Sequence, residues 1–254
     1  MLRLGRMEPL RARFTVHSFE LDAFGLLAAP ALTDFLAEAA GRHATALGVG
    51  LDALMAGGLT WVLARQRVEL LRPARLHDAL EVETWPSGID RLAALRDFRV
   101  RDAGGAEVAR ATSQWFVLDL ATRRPRPPEA VLDPARFASP GLPRAAEFTD
   151  GKLPELARWD AERRFQVRYA DIDRNLHVNN GSYLAWAIEA VPQDTWRSAR
   201  ITALEVSYRA ECLLGSAVLS RVAAGPDGTY AHAVVREEDG KELARLVTRW
   251  APRE

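Results

Sequence analysis

The sequence predicts an α+β fold in which one structural unit is used twice. Residues 13–40 (RFTVHSFELDAFGLLAAPALTDFLAEAA) align without gaps with residues 164–191 (RFQVRYADIDRNLHVNNGSYLAWAIEAV). Further on, residues 104–115 (GGAEVARATSQW) align with residues 239–250 (DGKELARLVTRW). Two matches in the same order indicate an internal duplication rather than chance identity. The chain of 254 residues is long enough for two domains of ordinary size.

Each copy is predicted to begin with a strand, a loop and a helix. Apolar residues recur at helical spacing. In the first copy they are Leu32, Phe35, Leu36 and Ala39, and in the second they are Tyr183, Trp186 and Ala190. Pro30 suits the first turn of the first helix, and Asn179 or Asn180 is a natural N-cap for the second.

Segments of strand character follow each helix. In the first copy they are WVLARQRVELL, LEVETWP, LRDFRVRD and EVARATSQWFVLDL. In the second they are ITALEVSYRAE, SAVLSRVAA, YAHAVVREE and KELARLVTRWA. The connectors Ala103-Gly104-Gly105 and Glu238-Asp239-Gly240 have the composition of hairpin turns. One helix followed by about four antiparallel strands, twice, is an α+β pattern, with each sheet curled around one apolar helix.

Prolines interrupt the chain between the copies. Six of the 14 prolines lie between Pro125 and Pro143, including Pro134 and Pro140. Because proline lacks a backbone donor and has a fixed φ, this stretch cannot be a helix interior or a central strand. We therefore predict a first domain over residues 8–122, a connector over 123–158 and a second domain over 159–254.

Composition excludes several classes of protein. Thirty-four basic and 34 acidic residues give a formal net charge of zero, which argues against a nucleic-acid partner or an anionic membrane surface. One cysteine excludes an intrachain disulfide framework. No apolar run is long enough to predict a membrane span, and the N-terminus lacks the features of a signal peptide.

The richest candidate site is Asp173-Arg174-Asn175-Leu176-His177, directly ahead of the second predicted helix. Asp173, Asn175 and His177 stand at alternate positions, which share one face if the segment is extended. A second carboxylate follows at Glu211, next to the single cysteine, Cys212. These residue types can converge on one reaction centre.

The first copy provides an internal comparison for this site. Asp173 aligns with Asp22, but Asn175 aligns with Phe24 and His177 with Leu26. If Asn175 and His177 were needed to hold the fold, the first copy should also be polar there. The pattern predicts chemistry in the second copy and apolar binding in the first.

Hydrolysis or proton transfer is the chemistry that these residues suit best. One His and one Cys, without CxxC or HxxxH spacing, predict no metal site, and no cofactor motif is present. The chain also lacks the G-x-S-x-G elbow of serine hydrolases. Two mechanisms remain open: water activated by a carboxylate or imidazole base, or Cys212 as a nucleophile with His177 as its base and Asn175 as its orienter. A third reading leaves Cys212 as a packed core residue.

Two motifs resemble those of acyl-acyl-carrier-protein thioesterases. DIDRNLHVNNGSYLAWAIE is similar to that family's D-x-D-x-N-x-H-V-N-N signature, and YRAEC (Tyr208–Cys212) is similar to its Y-R-x-E-C motif. The resemblance extends from about Phe14 to Trp250, apart from the connector. It implies two fused hotdog domains, each a curved antiparallel sheet wrapped around a long helix.

The resemblance also implies an activity and a site. It implies hydrolysis of a fatty acyl thioester on acyl carrier protein, with Asp173, Asn175, His177 and Glu211 catalytic and the acyl chain in the first domain. Cys212 holds the family's cysteine position, whose role as a nucleophile is doubtful. Activated water is the expected attacking group.

Other activities are kept open beside this one. They are an acyl-CoA thioesterase, a hydroxyacyl thioester dehydratase of hotdog fold, and a non-catalytic acyl-binding module. The expected partner is acyl carrier protein, a homodimer is compatible with the sequence, and we expect a cytoplasmic, bacterial location.

Overall fold

The structure is a computed structural model that describes residues 8–133 and 142–253. The chain forms two compact units, here called unit 1 and unit 2, which divide between Glu147 and Phe148. Ala28–Ala31 group with unit 2. No helix within the described ranges is long and apolar enough to cross a membrane. Pro134 and Pro140 of the predicted connector lie outside the described residues.

Unit 1 contains one antiparallel sheet and two helices. Its elements are β1 (Leu10–Thr15), α1 (Ala29–Ala46), α2 (Leu51–Ala56), β2 (Leu59–Leu70), β3 (Ala79–Asp90), β4 (Ala93–Asp102), β5 (Glu107–Asp119) and β6 (Pro125–Arg126). The strands pair in the order β1-β3-β4-β5-β2, and β6 pairs with β5. A short 3-10 turn, Ser18–Glu20, follows β1.

Unit 2 has the same plan. Its elements are β7 (Ala161–Gln166), α3 (Asn180–Glu189), α4 (Gln193–Ser198), β8 (Ala199–Tyr208), β9 (Ala217–Ala224), β10 (Thr229–Arg236) and β11 (Glu242–Pro252). The strands pair antiparallel in the order β7-β9-β10-β11-β8, and a 3-10 turn, Tyr169–Asp171, follows β7. Taken in chain order, this repeats the strand order of unit 1. The predicted α+β class and the predicted repeat are confirmed.

In each unit an aromatic residue of the helix stacks on the first strand. Phe35 of α1 stacks on Phe14 of β1 with ring centroids 4.6 Å apart, and Trp186 of α3 stacks on Phe165 of β7 at 6.0 Å. Phe35 and Trp186 are both buried, and burial of a side chain of this size contributes about 2–3 kcal/mol. The two pairs occupy aligned positions of the repeat, so the same contact fixes the helix in both units.

Helix starts agree with the sequence signals. Pro30 is the second residue of α1, where a missing backbone donor costs no hydrogen bond. Asn179 is the N-cap of α3, and its side-chain oxygen accepts the Gly181 N–H at 2.8 Å. The predicted turns also form, because Gly105 N–H bonds to the Asp102 carbonyl and Gly240 N–H to the Arg236 carbonyl.

Each unit also repeats a hydrogen bond from a tryptophan to a hydroxyl group. Trp115 Nε1 donates to Ser113 Oγ at 2.8 Å in unit 1, and Trp250 Nε1 donates to Thr248 Oγ1 at 2.9 Å in unit 2. In unit 2 the hydroxyl also lies 2.8 Å from Nε2 of His232, which is fully buried. Burial therefore keeps this histidine neutral, lowering its pKa to about 3.

Much of the segment predicted as a connector is integrated into the units. Pro125–Arg126 forms β6, and Arg144 pairs with the buried Asp97 of unit 1 at 2.9 Å. Thr149 donates through both its N–H and its hydroxyl to Glu205 of unit 2. Proline-rich composition argued against a helix interior or a central strand, but it could not reveal the short strand β6 or these side-chain anchors.

We expect His232 to make unit 2 sensitive to acid. The histidine has a lowered pKa in the folded state, so below about pH 6.5 the unfolded chain binds a proton that the folded chain does not. Wild type should therefore lose unfolding free energy relative to His232→Gln as pH falls from 6.5 toward 4, by up to about 1.4 kcal/mol per pH unit. Urea denaturation of both proteins across this range measures the difference, and parallel curves would contradict the assignment.

Candidate active site

The loop between β7 and α3 is a tight turn and not an extended segment. The Asp173 N–H bonds to the His177 carbonyl at 2.9 Å, and the Leu176 N–H bonds to the Asp173 carbonyl at 3.0 Å. Leu176 adopts a left-handed conformation with φ of 63°. The expectation that alternate residues share one face of an extended strand was wrong, because these backbone bonds fold the segment back on itself.

Asp173 shapes this turn. Its Oδ1 accepts the Asn175 N–H at 2.8 Å, and its Oδ2 lies 3.3 Å from Asn175 Nδ2. Asp22 makes the same kind of bond in unit 1, where its Oδ1 accepts the N–H groups of Phe24 and Leu26. Since the unit without the His and Asn keeps this aspartate, the Asp173 carboxylate has a structural role that does not depend on chemistry.

Asp171 anchors the turn from the preceding side. Its carboxylate accepts hydrogen bonds from the Arg168 N–H, Nε and Nη2 at 2.8–3.1 Å, and its carbonyl accepts the Asn179 N–H at 2.8 Å. The bonds from the Arg168 side chain, with a further one from Ser182, hold the pKa of the buried Asp171 carboxyl below its usual value. The only hint of this role in the sequence is the alignment of Asp171 with Glu20.

Glu211 and Cys212 approach the turn from the segment after β8. The Val178 N–H bonds to the Cys212 carbonyl at 3.0 Å, which brings the two segments together. As a result His177 Nε2 lies 3.4 Å from Glu211 Oε2. Both side chains keep solvent access, with 30% and 39% of their surfaces exposed. The structure thus brings the His177 and Glu211 side chains together at an accessible position, and it places Asp173 and Asn175 in contact with each other in the turn that carries His177.

Two further residues position this site and were missed from the sequence. Arg236 Nη2 donates to the Glu211 carbonyl at 2.7 Å, and its Nη1 pairs with Asp239 at 3.0 Å. The Tyr208 hydroxyl donates to the carbonyl of Asn180, at the start of α3, at 3.2 Å. Tyr208 lies within the YRAEC motif and could have been noticed. Arg236 belongs to a distant hairpin, and no local pattern points to it.

Cys212 lies beneath the site and is fully buried. Its position in the backbone network matches that of Ala74 in unit 1, whose carbonyl accepts the Leu27 N–H at 2.8 Å. Ala74 is also buried. A small buried residue therefore suits this position in both units, which favours the packing interpretation of Cys212 over the nucleophilic one.

Two backbone N–H groups in the first turn of α3 are occupied by capping. Asn179 accepts the Gly181 N–H through its side chain and the Ser182 N–H through its carbonyl at 3.0 Å. Capping therefore uses both of these N–H groups, which leaves neither free to bind a developing oxyanion. The Asn175 carboxamide is a further donor in this region, and its Nδ2 lies 3.3 Å from Asp173 Oδ2. In the parts of the chain that the structure describes, no group of three His, Cys, Asp or Glu residues could hold a metal ion.

Family profiles match both halves of the chain. The acyl-ACP thioesterase N-terminal domain matches residues 8–133, and the acyl-ACP thioesterase C-terminal domain matches residues 155–252. The chain belongs to the acyl-ACP thioesterase family. The second match contains every residue of the candidate site.

Curated relatives in this family are similar along nearly the whole chain. A palmitoyl-acyl carrier protein thioesterase of Cuphea hookeriana is 29% identical over 96% of this chain, and oleoyl-acyl carrier protein thioesterase 2 of Arabidopsis thaliana is 27% identical over 98%. Both are described as chloroplastic. The chain spans 62% of the Cuphea protein's length and 79% of the Arabidopsis protein's length.

Solved structures of the family share the fold. The 12:0-ACP thioesterase from Umbellularia californica is 27% identical, with a TM-score of 0.86 over 99% of this chain and 100% of its own. An acyl-ACP thioesterase from Bacteroides thetaiotaomicron has the same TM-score at 24% identity, over 96% and 98%. The implied hotdog architecture is confirmed.

We expect Asp171 to stabilise unit 2 through its charge. The pKa of the Asp171 carboxyl is lower in the folded state than its usual value of 3.8. The charged carboxylate therefore contributes fully to the unfolding free energy at pH values above 3.8, and this contribution disappears as the pH falls through the folded-state pKa. Asp171→Asn should lower the unfolding free energy by about 1.5–3 kcal/mol at pH 7, the usual contribution of a hydrogen bond to a charged group. Denaturant titration measures this loss.

Glu20→Gln is the matched control for Asp171→Asn. Glu20 Oε2 accepts the His17 N–H at 2.7 Å at the aligned position of unit 1, but no arginine adds to it. We expect a smaller loss from this variant. Equal losses for the two variants would show that the Arg168 bonds add nothing.

Proposed function

We propose that this protein hydrolyses fatty acyl thioesters of acyl carrier protein, releasing a free fatty acid and the carrier thiol. The observation that carries the proposal is the His177–Glu211 pair, which exists in only one of two otherwise equivalent units. Leu26 and Pro73 stand at the aligned positions of unit 1. Family membership and the names of the relatives support the same activity.

The reaction begins with a water molecule at the exposed side of the pair. As the water oxygen attacks the thioester carbonyl carbon, one of its protons passes to the His177–Glu211 pair. Because Nε2 lies 3.4 Å from Oε2, one side chain can hold that proton while the other is close enough to stabilise the charge that results. Positioned acid–base help of this kind contributes on the order of 10²–10⁴ in rate.

Collapse of the tetrahedral intermediate breaks the carbon–sulfur bond. The pair returns the proton to the departing thiolate, so the thiol leaves neutral and the enzyme returns to its starting state. In this proposal the Asn175 carboxamide donates to the oxygen that carries the negative charge, and one such donor contributes about 3–4 kcal/mol. Asp173 acts indirectly, because its carboxylate fixes the turn that contains Asn175 and His177.

We infer that unit 1 receives the acyl chain. Phe24 and Leu26 replace the polar Asn175 and His177 there, which removes the reaction but keeps the scaffold. A ladder of acyl carrier protein thioesters of increasing chain length, with the matching CoA thioesters beside it, measures both the length preference and the carrier preference. The same assay separates hydrolysis, which yields a free acid, from dehydration, which yields a 2-enoyl thioester.

We expect both members of the pair to be essential for turnover. Glu211→Gln and His177→Ala should each lower kcat by at least about 10²-fold, because either change removes the shared proton site. Both side chains are partly exposed, so circular dichroism and melting temperature should stay close to wild type. If the two residues act as one unit, the double variant should lose little more than the worse single variant. A near-normal kcat in either single variant would contradict the proposed mechanism.

We expect Cys212→Ala to remain active. Ala74 fills the equivalent position in unit 1, so the smaller side chain is compatible with this backbone arrangement. Because the thiol is fully buried while the reacting pair is exposed, kcat should stay within a few-fold of wild type. Intact-mass spectrometry of wild type during turnover provides the second readout. An acyl group found on Cys212 would establish covalent catalysis instead.

A further inference from the structure

Four large apolar side chains are exposed around the candidate site. They are Tyr169 (85% exposed), Leu176 (75%), Leu213 (55%) and Leu214 (57%), here called the apolar rim. Leu176 directly precedes His177, and Leu213 and Leu214 follow Glu211 and Cys212. Large exposed apolar side chains that cluster in this way indicate a binding surface, whereas scattered ones do not.

Backbone hydrogen bonds hold the three rim segments together. The bond between Val178 and Cys212 joins the Leu176 segment to the Leu213 segment. Val167 bonds to Gly215 and Ser216 on the other side, at 3.3 and 2.9 Å, and this places the turn that begins at Tyr169 beside the same loop. The rim therefore belongs to the same framework that brings His177 to Glu211.

Leu176 is retained at a conformational cost. Its φ of 63° lies in the left-handed region, which is unfavourable for a residue with a Cβ, by about 1–2 kcal/mol per residue. The aligned residue of unit 1 is Gly25, at φ of 77°, which adopts this conformation without strain. A leucine that is strained and three-quarters exposed contributes little burial to offset its conformational cost. Its side chain is therefore better explained by contact with a binding partner or substrate than by a role in folding.

The other rim positions also differ between the units. Tyr169 and Ser18 are the first residues of the two 3-10 turns, and Leu213 corresponds to Arg75. Only Leu214 keeps its residue type, as Leu76. The aligned segments of unit 1 also expose apolar side chains, Phe19 (82%), Phe24 (40%) and Leu76 (42%), but at the positions of Tyr169, Leu176 and Leu213 they have a serine, a glycine and an arginine. The arrangement of four apolar side chains at the rim positions is therefore specific to the unit that has the polar pair.

We propose that the apolar rim binds the pantetheine arm of the thioester substrate. This inference rests on the proposed function, because the arm is covalently joined to the sulfur of the bond that is cleaved. Wherever His177 and Glu211 attack the carbonyl, the atoms beyond the sulfur must pass the residues that flank the pair. The arm carries methyl groups and methylenes between its amides, which suits leucine and tyrosine side chains. Acyl carrier protein and coenzyme A share this arm, so the rim recognises what the two have in common.

The test compares thioesters with and without most of the arm. Leu176→Asn and Leu213→Asn should each lower kcat/KM by on the order of 10-fold for acyl carrier protein thioesters and CoA thioesters alike, chiefly by raising KM. A loss of this size is expected for a leucine contact that becomes partly buried when the substrate binds. With the acyl N-acetylcysteamine thioester, which lacks most of the arm, the loss should shrink to within about twofold. Leu92→Asn is the control, because Leu92 is an exposed leucine (42%) in the turn between β3 and β4, outside both the rim and the aligned loop of unit 1. This variant should keep wild-type constants with all three substrates.

Stability provides the second readout. Asparagine tolerates the left-handed conformation, so Leu176→Asn should melt at or above the wild-type temperature while its KM rises. A lower melting temperature would show that Leu176 serves the fold and would overturn the proposal.

Other outcomes also contradict the rim assignment. Equal losses with the truncated thioester would mean that the rim acts through the reacting pair, and losses confined to acyl carrier protein would mean that it contacts the protein carrier. Dissociation of an oligomer in the rim variants, measured by analytical ultracentrifugation, would identify the rim as a subunit interface. Failure of wild type to hydrolyse any of the three thioesters would instead refute the proposed function.

Discussion

The backbone hydrogen bond from Val178 to Cys212 is the contact on which the site depends. It joins the turn before α3 to the loop after β8, and it brings together two segments whose side chains place His177 Nε2 within 3.4 Å of Glu211 Oε2 across 34 residues of sequence. The bond involves only main-chain atoms, so it places no demand on side-chain chemistry. Unit 1 makes it as well, between Leu27 and Ala74. The fold thus provides a fixed meeting point, and the side chains placed there decide whether it reacts.

Duplication separates residues that shape the site from residues that react in it. Asp173 and its counterpart Asp22 both bind backbone amides of the turn, so the aspartate belongs to the scaffold even where no chemistry is expected. His177 and Glu211 have no polar counterpart in unit 1. A motif that combines all of these residues therefore contains some that shape the site and some that react in it. Comparison of the two units within one chain distinguishes the two groups without a second protein.

The sequence predicted the elements well because their signals are local. Helical spacing, the Pro30 and Asn179 signals and the glycine-containing turns each act within a few residues, and all of them are found in the structure. The candidate residues were found for a different reason, the contrast between the two copies. The geometry of these residues was not predicted, because backbone hydrogen bonds set the turn at Leu176 and alternate spacing in the sequence does not reveal such bonds. Arg236 was missed because its contact with Glu211 joins residues far apart in the chain.

Unit 1 is less uniformly apolar than the contrast at the site suggests. Arg96 of β4 is buried, and its Nη1 lies 3.1 Å from both His43 Nδ1 of α1 and Thr84 Oγ1 of β3. Burial lowers the pKa of Arg96 to about 10, and burial together with the nearby Arg96 charge lowers the pKa of His43 to about 4. The neutral imidazole can then accept from the guanidinium. Such a cluster could not be inferred from the Phe24 and Leu26 substitutions, which report only on the equivalent of the reacting positions.

Partial exposure of the His177–Glu211 pair follows from the reaction that it is proposed to perform. Water is a reactant, so the pair cannot be sealed from solvent as His232 is, and a partly hydrated pair interacts more weakly than a dry one. Because the attraction between the two side chains is weak, it cannot by itself hold them in a reactive arrangement, and the surrounding structure must fix their positions. The rigid contacts are accordingly one layer below the surface. Asp171 holds the turn, Arg236 holds the Glu211 main chain, and the buried Cys212 carries the bond that joins the two segments. Solvent can then reach the reacting atoms without loosening the frame that positions them.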